Sequence, residues 1–417
     1  MPTAEQLEIQ SLARDFAETE LRPRSSAWDE RRALDEDVFA KLAELGFLGM
    51  LVPEEHGGLA FDYTTYLMVL EELARGDAAV ALSVAVHNGP VATLLARHGS
   101  DAQRAKWLPA LASGEAIGAF ALSEPRAGSD ASAVETLARP EGHGWRLTGE
   151  KRWVTNGARA GLVVVFARIG EPPRTVGVTG AAATQGPVSR GLGAFLVQPN
   201  ADGYRVGARE RTLGLRASET VSVELRDMAL GADALVGGAG SGLRYALEAL
   251  DVGRAGAAAQ AVGIGRAALE HASAYALGRE QFGQPIARFG AIQEKLARMA
   301  ERVAAGRALA LEAAAALQAA RDGAGEARTG LSGVTARVAI AKVAASEAAT
   351  WVADEAIQIF GGYGYMRHYP VEKLLRDAKG TEIFEGTSEI MRHVIARELL
   401  RDLGDTGEDH AETAASA

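Results

Sequence analysis

The spacing of apolar residues changes twice along the chain, and this limits the possible fold more than any other feature. From 1 to about 117 they recur at helical spacing, as in Leu42, Leu45 and Phe47 and then Tyr66, Leu67, Val69, Leu70 and Leu73, with a turn at PEEHGG between the two runs. From 118 to 237 the segments GWRLTGEKRWVTNG, LVVVFARI, GAFLVQP and ETVSVELRDMAL are β-branched, aromatic and punctuated by glycine, the pattern of an antiparallel sheet. From 238 to 403 long Ala- and Leu-rich helices return, and Ile292, Leu296, Met299 and Val303 mark one buried stripe. The expected architecture is α+β, with a helical domain (1–117), a β domain (118–237) and a helical bundle (238–403). The polar, small-residue tail 404–417 predicts disorder, and IGEPPRTVGVTGAAATQGPVSRGLG, between two strand candidates, predicts a long surface loop.

Composition removes several function classes. With 417 residues and 47% hydrophobic content the chain can fill two or three cores. A net charge of -10 without clustered Lys and Arg argues against nucleic-acid binding. The chain has no Cys, which excludes disulfides and thiolate chemistry, and its eight His lack any H-E-x-x-H or comparable ligand spacing, so no metal site is expected. MPTAEQLEIQSLARDFAETELRPR has no apolar core of signal-peptide length and is too acidic for a transit peptide. No stretch holds the roughly 18 uninterrupted apolar residues of a membrane span. A cytoplasmic enzyme without a span is the expectation.

Two glycine motifs carry no nucleotide signal. VGIGRAA, with Gly263, Gly265 and Ala268, has the form G-x-G-x-x-A but lies in a helical run with no preceding strand, so it predicts close helix packing. GGAGSGL (237–243) lacks the G-K-[ST] ending of a phosphate loop and predicts an interdomain turn.

Three other stretches are denser in chemistry than packing requires. FALSEPRAGSD (120–130) is a turn rich in hydroxyl, carboxylate and glycine, suited to close approach by a polar ligand. In KRWVTNG a two-residue period puts Trp153 and Thr155 on one face, an aromatic surface beside a hydroxyl that could hold a planar ring. In QIFGGYGYMRHYPVEKLLRDAKGTEIFEGTSEIMR (358–392), Gly361, Gly362 and Gly364 interrupt a helix, and Thr387 or Ser388 can cap the next one. Taken alone, Glu385 in this stretch reads as a solvated acid near a positive helix end.

Together LSEPRAGSD, EKRWVTNG, LDVGR, GREQFG, FGGYGY and FEGTSEIMR, in this order over nearly the whole length, give the chain a resemblance to the acyl-CoA dehydrogenases, flavoproteins with helical, β-barrel and helical domains. The resemblance implies an antiparallel β-barrel in the middle and FAD held between it and the C-terminal helices. It implies flavin contacts from Phe120, Leu122, Ser123, Gly128 and Ser129, with Trp153 and Thr155 flanking the ring. Thr387 and Glu389 join these cofactor positions, and Arg279, Phe282, Gln358, Gly361 and Gly362 resemble residues that reach a neighbouring subunit's FAD. That sharing implies a homotetramer, with a homodimer as the smaller possibility. Ser129, Asp251, Arg254 and Gly386 match acyl-CoA-binding positions; the bland reading of Asp251 and Arg254 is a surface ion pair. Small residues of ARGDAAVALSVAVHN, namely Ala81 and Ala85 with Leu82, are candidates for the floor of an acyl pocket.

By the same resemblance Glu385 is the base that removes the proton next to the thioester carbonyl while flavin N5 accepts hydride from the adjacent carbon. The product is a trans-2-enoyl-CoA, and the electrons pass to electron-transferring flavoprotein. Gly253, before Arg254, stands where some family members carry an alternative Glu base. Gly290 stands where many carry a Gln that touches the neighbouring FAD. The alternatives are an oxygen-using acyl-CoA oxidase or flavin monooxygenase relative, and a non-catalytic flavin-fold scaffold.

Overall fold

The computed structural model describes residues 2–170, 191–323 and 330–402. Almost all of the expected surface loop, and the expected disordered tail, lie outside the described residues. The first helices are α1 (Ala4–Phe16), α2 (Ser25–Arg31), α3 (Asp37–Glu44), α4 (Tyr63–Gly76), α5 (Ala78–Val86), α6 (Thr93–His98) and α7 (Asp101–Ala112). Their starts are encoded locally. Thr3 with Gln6 and Ser100 with Gln103 form capping boxes on α1 and α7, and Asp77 accepts from Ala79 and Val80 N–H to open α5. By length and mean hydropathy, Ala78–His98 and Gly290–Arg321 could each cross a membrane, which counting uninterrupted apolar residues does not reveal. The first is 94% buried inside the protein over its most apolar window and serves as a core helix.

The middle region holds β1 (Gly118–Ala121), β2 (Leu137–Glu141), β3 (Gly144–Thr155), β4 (Leu162–Ile169), β5 (Leu192–Val197), β6 (Tyr204–Arg209), β7 (Thr220–Leu230) and β8 (Leu235–Val236). All four strand segments read from the sequence are present. The closed antiparallel barrel is not found among the described residues. The sheet is open, running β6-β7-β3-β2-β4-β5-β8 with β1 on β4, and both β1 and β2 pair with β4 in parallel. The ends of the sheet do not meet: β8 has two residues, and β6 beyond Tyr204 leaves Arg205, Val206, Gly207 and Ala208 exposed.

One consequence of this topology positions the site. β1 pairs with Leu162–Val165 and β2 with Arg168–Ile169, so both lie along the same edge of β4. Between them the chain leaves the sheet as the excursion 122–136, which contains SEPRAGSD.

The C-terminal region contains α8 (Gly242–Gly278), a two-strand ribbon of β9 (Glu280–Gln281) and β10 (Gln284–Pro285), α9 (Gly290–Arg321), α10 (Val334–Phe360), α11 (Val371–Thr381) and α12 (Ser388–Asp402). VGIGRAA does serve close packing: a Cβ on Gly263 would overlap the Glu71 carbonyl of α4, so only glycine lets these backbones cross. The stripe on α9 is buried at Met299 and Val303 and partly buried at Ile292 and Leu296. Loop residue Leu215 donates its N–H to Asp377 of α11 at 2.5 Å, and Arg376 of α11 pairs with Asp29 of α2 at 2.7 Å, joining all three regions.

Candidate active site

Glu385 lies in the short connection from α11 to α12. Its φ is 58° and that of Gly386 is 97°, two consecutive left-handed residues that reverse the chain and turn the acid inward. The residue as a whole keeps some exposure, yet Oε2 is sealed from solvent and has no hydrogen-bond partner among the described residues. The carboxylate rests on α8, where a Cβ at Gly253 would come within 2.6 Å of Oε2. Burial pushes the Glu385 carboxyl up to about 7, against the opposing pull of Arg254 and Lys342. The solvated-acid reading is therefore wrong, because the reversed turn carries the side chain into the protein.

Two cations hold that turn by consecutive carbonyls. Arg254 Nε donates to the Glu385 carbonyl at 3.1 Å, and Lys342 Nζ to the Gly386 carbonyl at 2.6 Å. Burial brings the Lys342 ammonium down to about 8 even with Glu385 nearby. Arg254 also binds Asp251 at 2.8 Å, and Asp251 accepts from the Thr335 hydroxyl at 2.8 Å. Asp251 and Arg254 thus form a largely buried pair that braces the turn, in place of the surface ion pair. Thr387 caps α12 by accepting from Ile390 N–H at 3.3 Å, while Ser388 Oγ is buried without a partner among the described residues.

The second part of the site is the platform around Trp153. Between Lys151 and Val154 the β3–β7 register shifts, and Trp153 has φ 55°. The strict two-residue period expected there is broken by this bulge, yet both Trp153 and Thr155 remain off the buried face, and the indole is 58% exposed. Arg152 N–H donates to the Ser123 carbonyl at 2.8 Å, which draws the excursion alongside Trp153. Its anchor was not legible as a functional element: Lys151, fully buried, donates to the Leu122 carbonyl at 3.0 Å and to Glu124 at 2.6 Å. Glu124 also accepts from Glu135 and Thr136 N–H at 2.6 and 3.0 Å. Beyond this clamp Gly128 and Ser129 are exposed, with open space around Gly128.

Leu122, Ser123, Trp153 and Thr155, with Phe120 on β1, come together on the sheet. Asp251, Arg254, Glu385 and Gly386 come together on the helices. Arg279, Phe282, Gly361 and Gly362 do not join either group. They line a separate cleft of about 620 Å³, where Arg279 stacks on Tyr363 and Phe282 is 93% exposed. At 1.5 Å rise per residue, Arg279 is roughly 38 Å along α8 from Arg254. Gln358 is exposed next to Ile359, which lines that cleft, Glu389 is exposed on α12, and Gly290 has nothing around its Cβ position among the described residues.

A buried acid brought to neutral range, resting on a helix that borders an open cleft at Asp251 and Val252, in a protein that also presents an exposed aromatic platform, is equipped to take a weakly acidic proton from a ligand laid against a planar cofactor. Comparison with known proteins agrees with that class. Three family models match: the acyl-CoA dehydrogenase N-terminal domain over 3–115, middle domain over 119–228 and C-terminal domain over 240–400. The chain is 40% identical over 401 residues to the mitochondrial short-chain specific acyl-CoA dehydrogenase of Homo sapiens, covering 96% of this chain and 91% of that one. Among solved structures, butyryl-CoA dehydrogenase from Megasphaera elsdenii is 35% identical with TM-score 0.86, covering 96% of this chain and 99% of that one. A structure described as electron transferring flavoprotein of Acidaminococcus fermentans is 36% identical with TM-score 0.86, with the same coverage of 96% and 99%. The chain belongs to the acyl-CoA dehydrogenase family, whose members are FAD-dependent oxidoreductases acting on CH–CH groups.

Proposed function

We propose that the protein converts a short saturated acyl-CoA to the trans-2-enoyl-CoA and passes the electrons to electron-transferring flavoprotein. The observation that carries this reading is the Glu385 carboxylate, sealed on α8 with one oxygen unpartnered and raised to about 7. Such a group is ionised often enough near neutrality to act and basic enough to take a proton from carbon.

The residues fit FAD. The indole of Trp153 is exposed beside the half-buried Ser123, and Gly128 has room for close approach. When bound, FAD supplies the hydride acceptor. Phe120, Leu122, Ser123, Trp153 and Thr155 would hold its ring system, with Gly128 and Ser129 at the turn. Arg279, Phe282, Gln358, Gly361 and Gly362 would hold part of the FAD of a neighbouring subunit in a homotetramer, which their separation from Glu385 supports.

Glu385 takes the proton next to the thioester carbonyl at Oε2. Its own backbone N–H, presented by the left-handed turn, can donate to the carbonyl oxygen as charge develops there. Arg254 and Lys342 fix that turn, so the donor and the base keep one geometry through the reaction. The cleft of about 560 Å³ beside Asp251 and Val252, bordered by Arg97 and Arg321, suits the anionic CoA portion. The short-chain assignment draws on the relatives named for short-chain and butyryl substrates, and the electron acceptor on the flavoprotein structure.

The test is turnover of the yellow holoprotein with butyryl-CoA, following enoyl-CoA by mass spectrometry with electron-transferring flavoprotein or with oxygen alone. Turnover with the flavoprotein and slow peroxide formation without it is expected. Rapid peroxide formation would favour the oxidase alternative, and no consumption of any acyl-CoA would favour the scaffold.

A further inference from the structure

On α8, the Glu385 carboxylate covers Gly253, and the next position on the same helix face is Gly256. There a Cβ would stand 3.4 Å from both the Tyr66 hydroxyl and Leu70 Cδ1, and 3.6 Å from Ala85 Cβ. The same hydroxyl lies 3.1 Å from the Cβ position of Gly89 and donates to the Ala85 carbonyl at 3.3 Å. Gly253 and Gly256 are ~4.5 Å apart along the helix axis. A fully buried phenol therefore blocks the α8 face less than one helical turn beyond the catalytic carboxylate.

Past that point the face is shut. Gln260 donates to the Ala78 carbonyl at 2.6 Å, and Gly263 sits against the Glu71 backbone. Toward the start of α8 this face opens at Tyr245, Ala249 and Val252 into the cleft that Tyr63 of α4 also lines. A CoA thioester held at Glu385 must place its large polar portion on the open side and its acyl tail on the Tyr66 side. Burial keeps the phenol protonated, with the nearby Tyr63 and Glu385 adding to that preference, so its hydroxyl remains a neutral cap on an otherwise apolar end.

We infer that Tyr66 sets the acyl-length limit of this enzyme: its ring and hydroxyl close the tail end of the substrate slot against Gly89 and Gly256, admitting butyryl-sized chains and excluding octanoyl-sized ones. Ala81, Leu82 and Ala85 were the candidate floor from sequence. Ala85 lies beside Gly256 at this end, and α4 supplies Tyr66 as the residue that decides the depth. The inference rests on the dehydrogenase reading and goes beyond it by naming the residue that selects the substrate.

The test uses purified FAD-loaded wild type, Tyr66→Ala and Gly256→Ala. Flavin bleaching rates and calorimetric affinities are measured for butyryl-, hexanoyl- and octanoyl-CoA. Each methylene accommodated in such a slot is worth roughly tenfold or more. Tyr66→Ala should raise the octanoyl-to-butyryl ratio of kcat/KM by at least ~10-fold, with a matching gain in octanoyl-CoA affinity. Gly256→Ala adds bulk where its nearest neighbours are at 3.4 Å, an ordinary contact that the fold can accept. It should depress hexanoyl-CoA affinity more than butyryl-CoA affinity, which keeps the inference testable if Tyr66→Ala does not fold. A wild type that bleaches with butyryl-CoA while the folded variants leave these ratios unchanged would overturn the role of Tyr66. A wild type inert to every acyl-CoA would instead overturn the dehydrogenase reading.

Discussion

Replacing Glu385 by Gln should stabilise the protein, and only above a definable pH. In the folded chain the carboxyl is raised from 4.5 to about 7 by burial. A group raised in this way contributes stability that is full below its unfolded value and is lost as pH rises through its folded value. At ~1.36 kcal/mol per unit, ionising Glu385 in place costs the wild type about 3 kcal/mol at alkaline pH. Gln cannot ionise, so Glu385→Gln avoids that loss. It keeps the size of the side chain, and the Arg254 and Lys342 bonds go to backbone carbonyls that the substitution leaves in place. Thermal unfolding of matched FAD-loaded samples should show wild type and variant melting together near about pH 4, with the variant higher by several degrees near about pH 8. Equal melting at both pH values, or a variant that falls behind as pH rises, would refute the burial of an unpaired carboxylate on which the argument depends.

Other substitutions probe the supports of the site. Gly253→Ala would put a Cβ within 2.6 Å of the Glu385 carboxylate and displace it; a shift of ~1 Å costs on the order of 100-fold in kcat, with FAD content unchanged by absorbance. Lys342→Met removes the donor to Gly386 and a cation near Glu385, so the rising limb of the pH profile of flavin reduction should move to higher pH, and Lys342→Arg should partly restore it. The charges around this pair are Arg254, Glu382 and Glu347, with neutral Tyr66 on α4, and none of them replaces the lost ammonium. Lys151→Met leaves Glu124 buried without its cation; a loss of about 3–5 kcal/mol is expected for breaking a buried pair, read as lower FAD occupancy and melting temperature.

Much of this was legible in the chain. Helical spacing in Tyr66–Leu73 and alternation in LVVVFARI reported local geometry directly, because each element buries one face. The open sheet was not legible: whether the ends of a sheet meet depends on pairing between segments far apart, and nothing within the β6 or β8 segments states what lies beside them. Glu385 could be singled out from its motif, but its burial depends on two left-handed residues and on the space above Gly253. Lys151 and Lys342 were missed because lysine normally reads as solvated. A signal did exist in each case: Lys151 shares the buried parity of Leu147 on β3, and Lys342 is a lone cation in the apolar run VAIAKVAA. Tyr66 was recognised as a core residue, and its position at the tail end of the slot emerges only when α4 is set against Gly256 of α8.

The central claim is that Glu385 is the base, and anaerobic stopped-flow absorbance of wild type and Glu385→Gln mixed with butyryl-CoA tests it most directly. The wild-type flavin should bleach with a rate that rises with pH through about 7, the value at which the carboxyl ionises. The yellow Glu385→Gln protein should bind butyryl-CoA and bleach at least ~100-fold more slowly at every pH, the low end of what a general base contributes. Bleaching of the variant at close to the wild-type rate would assign the proton transfer to another residue and contradict the account.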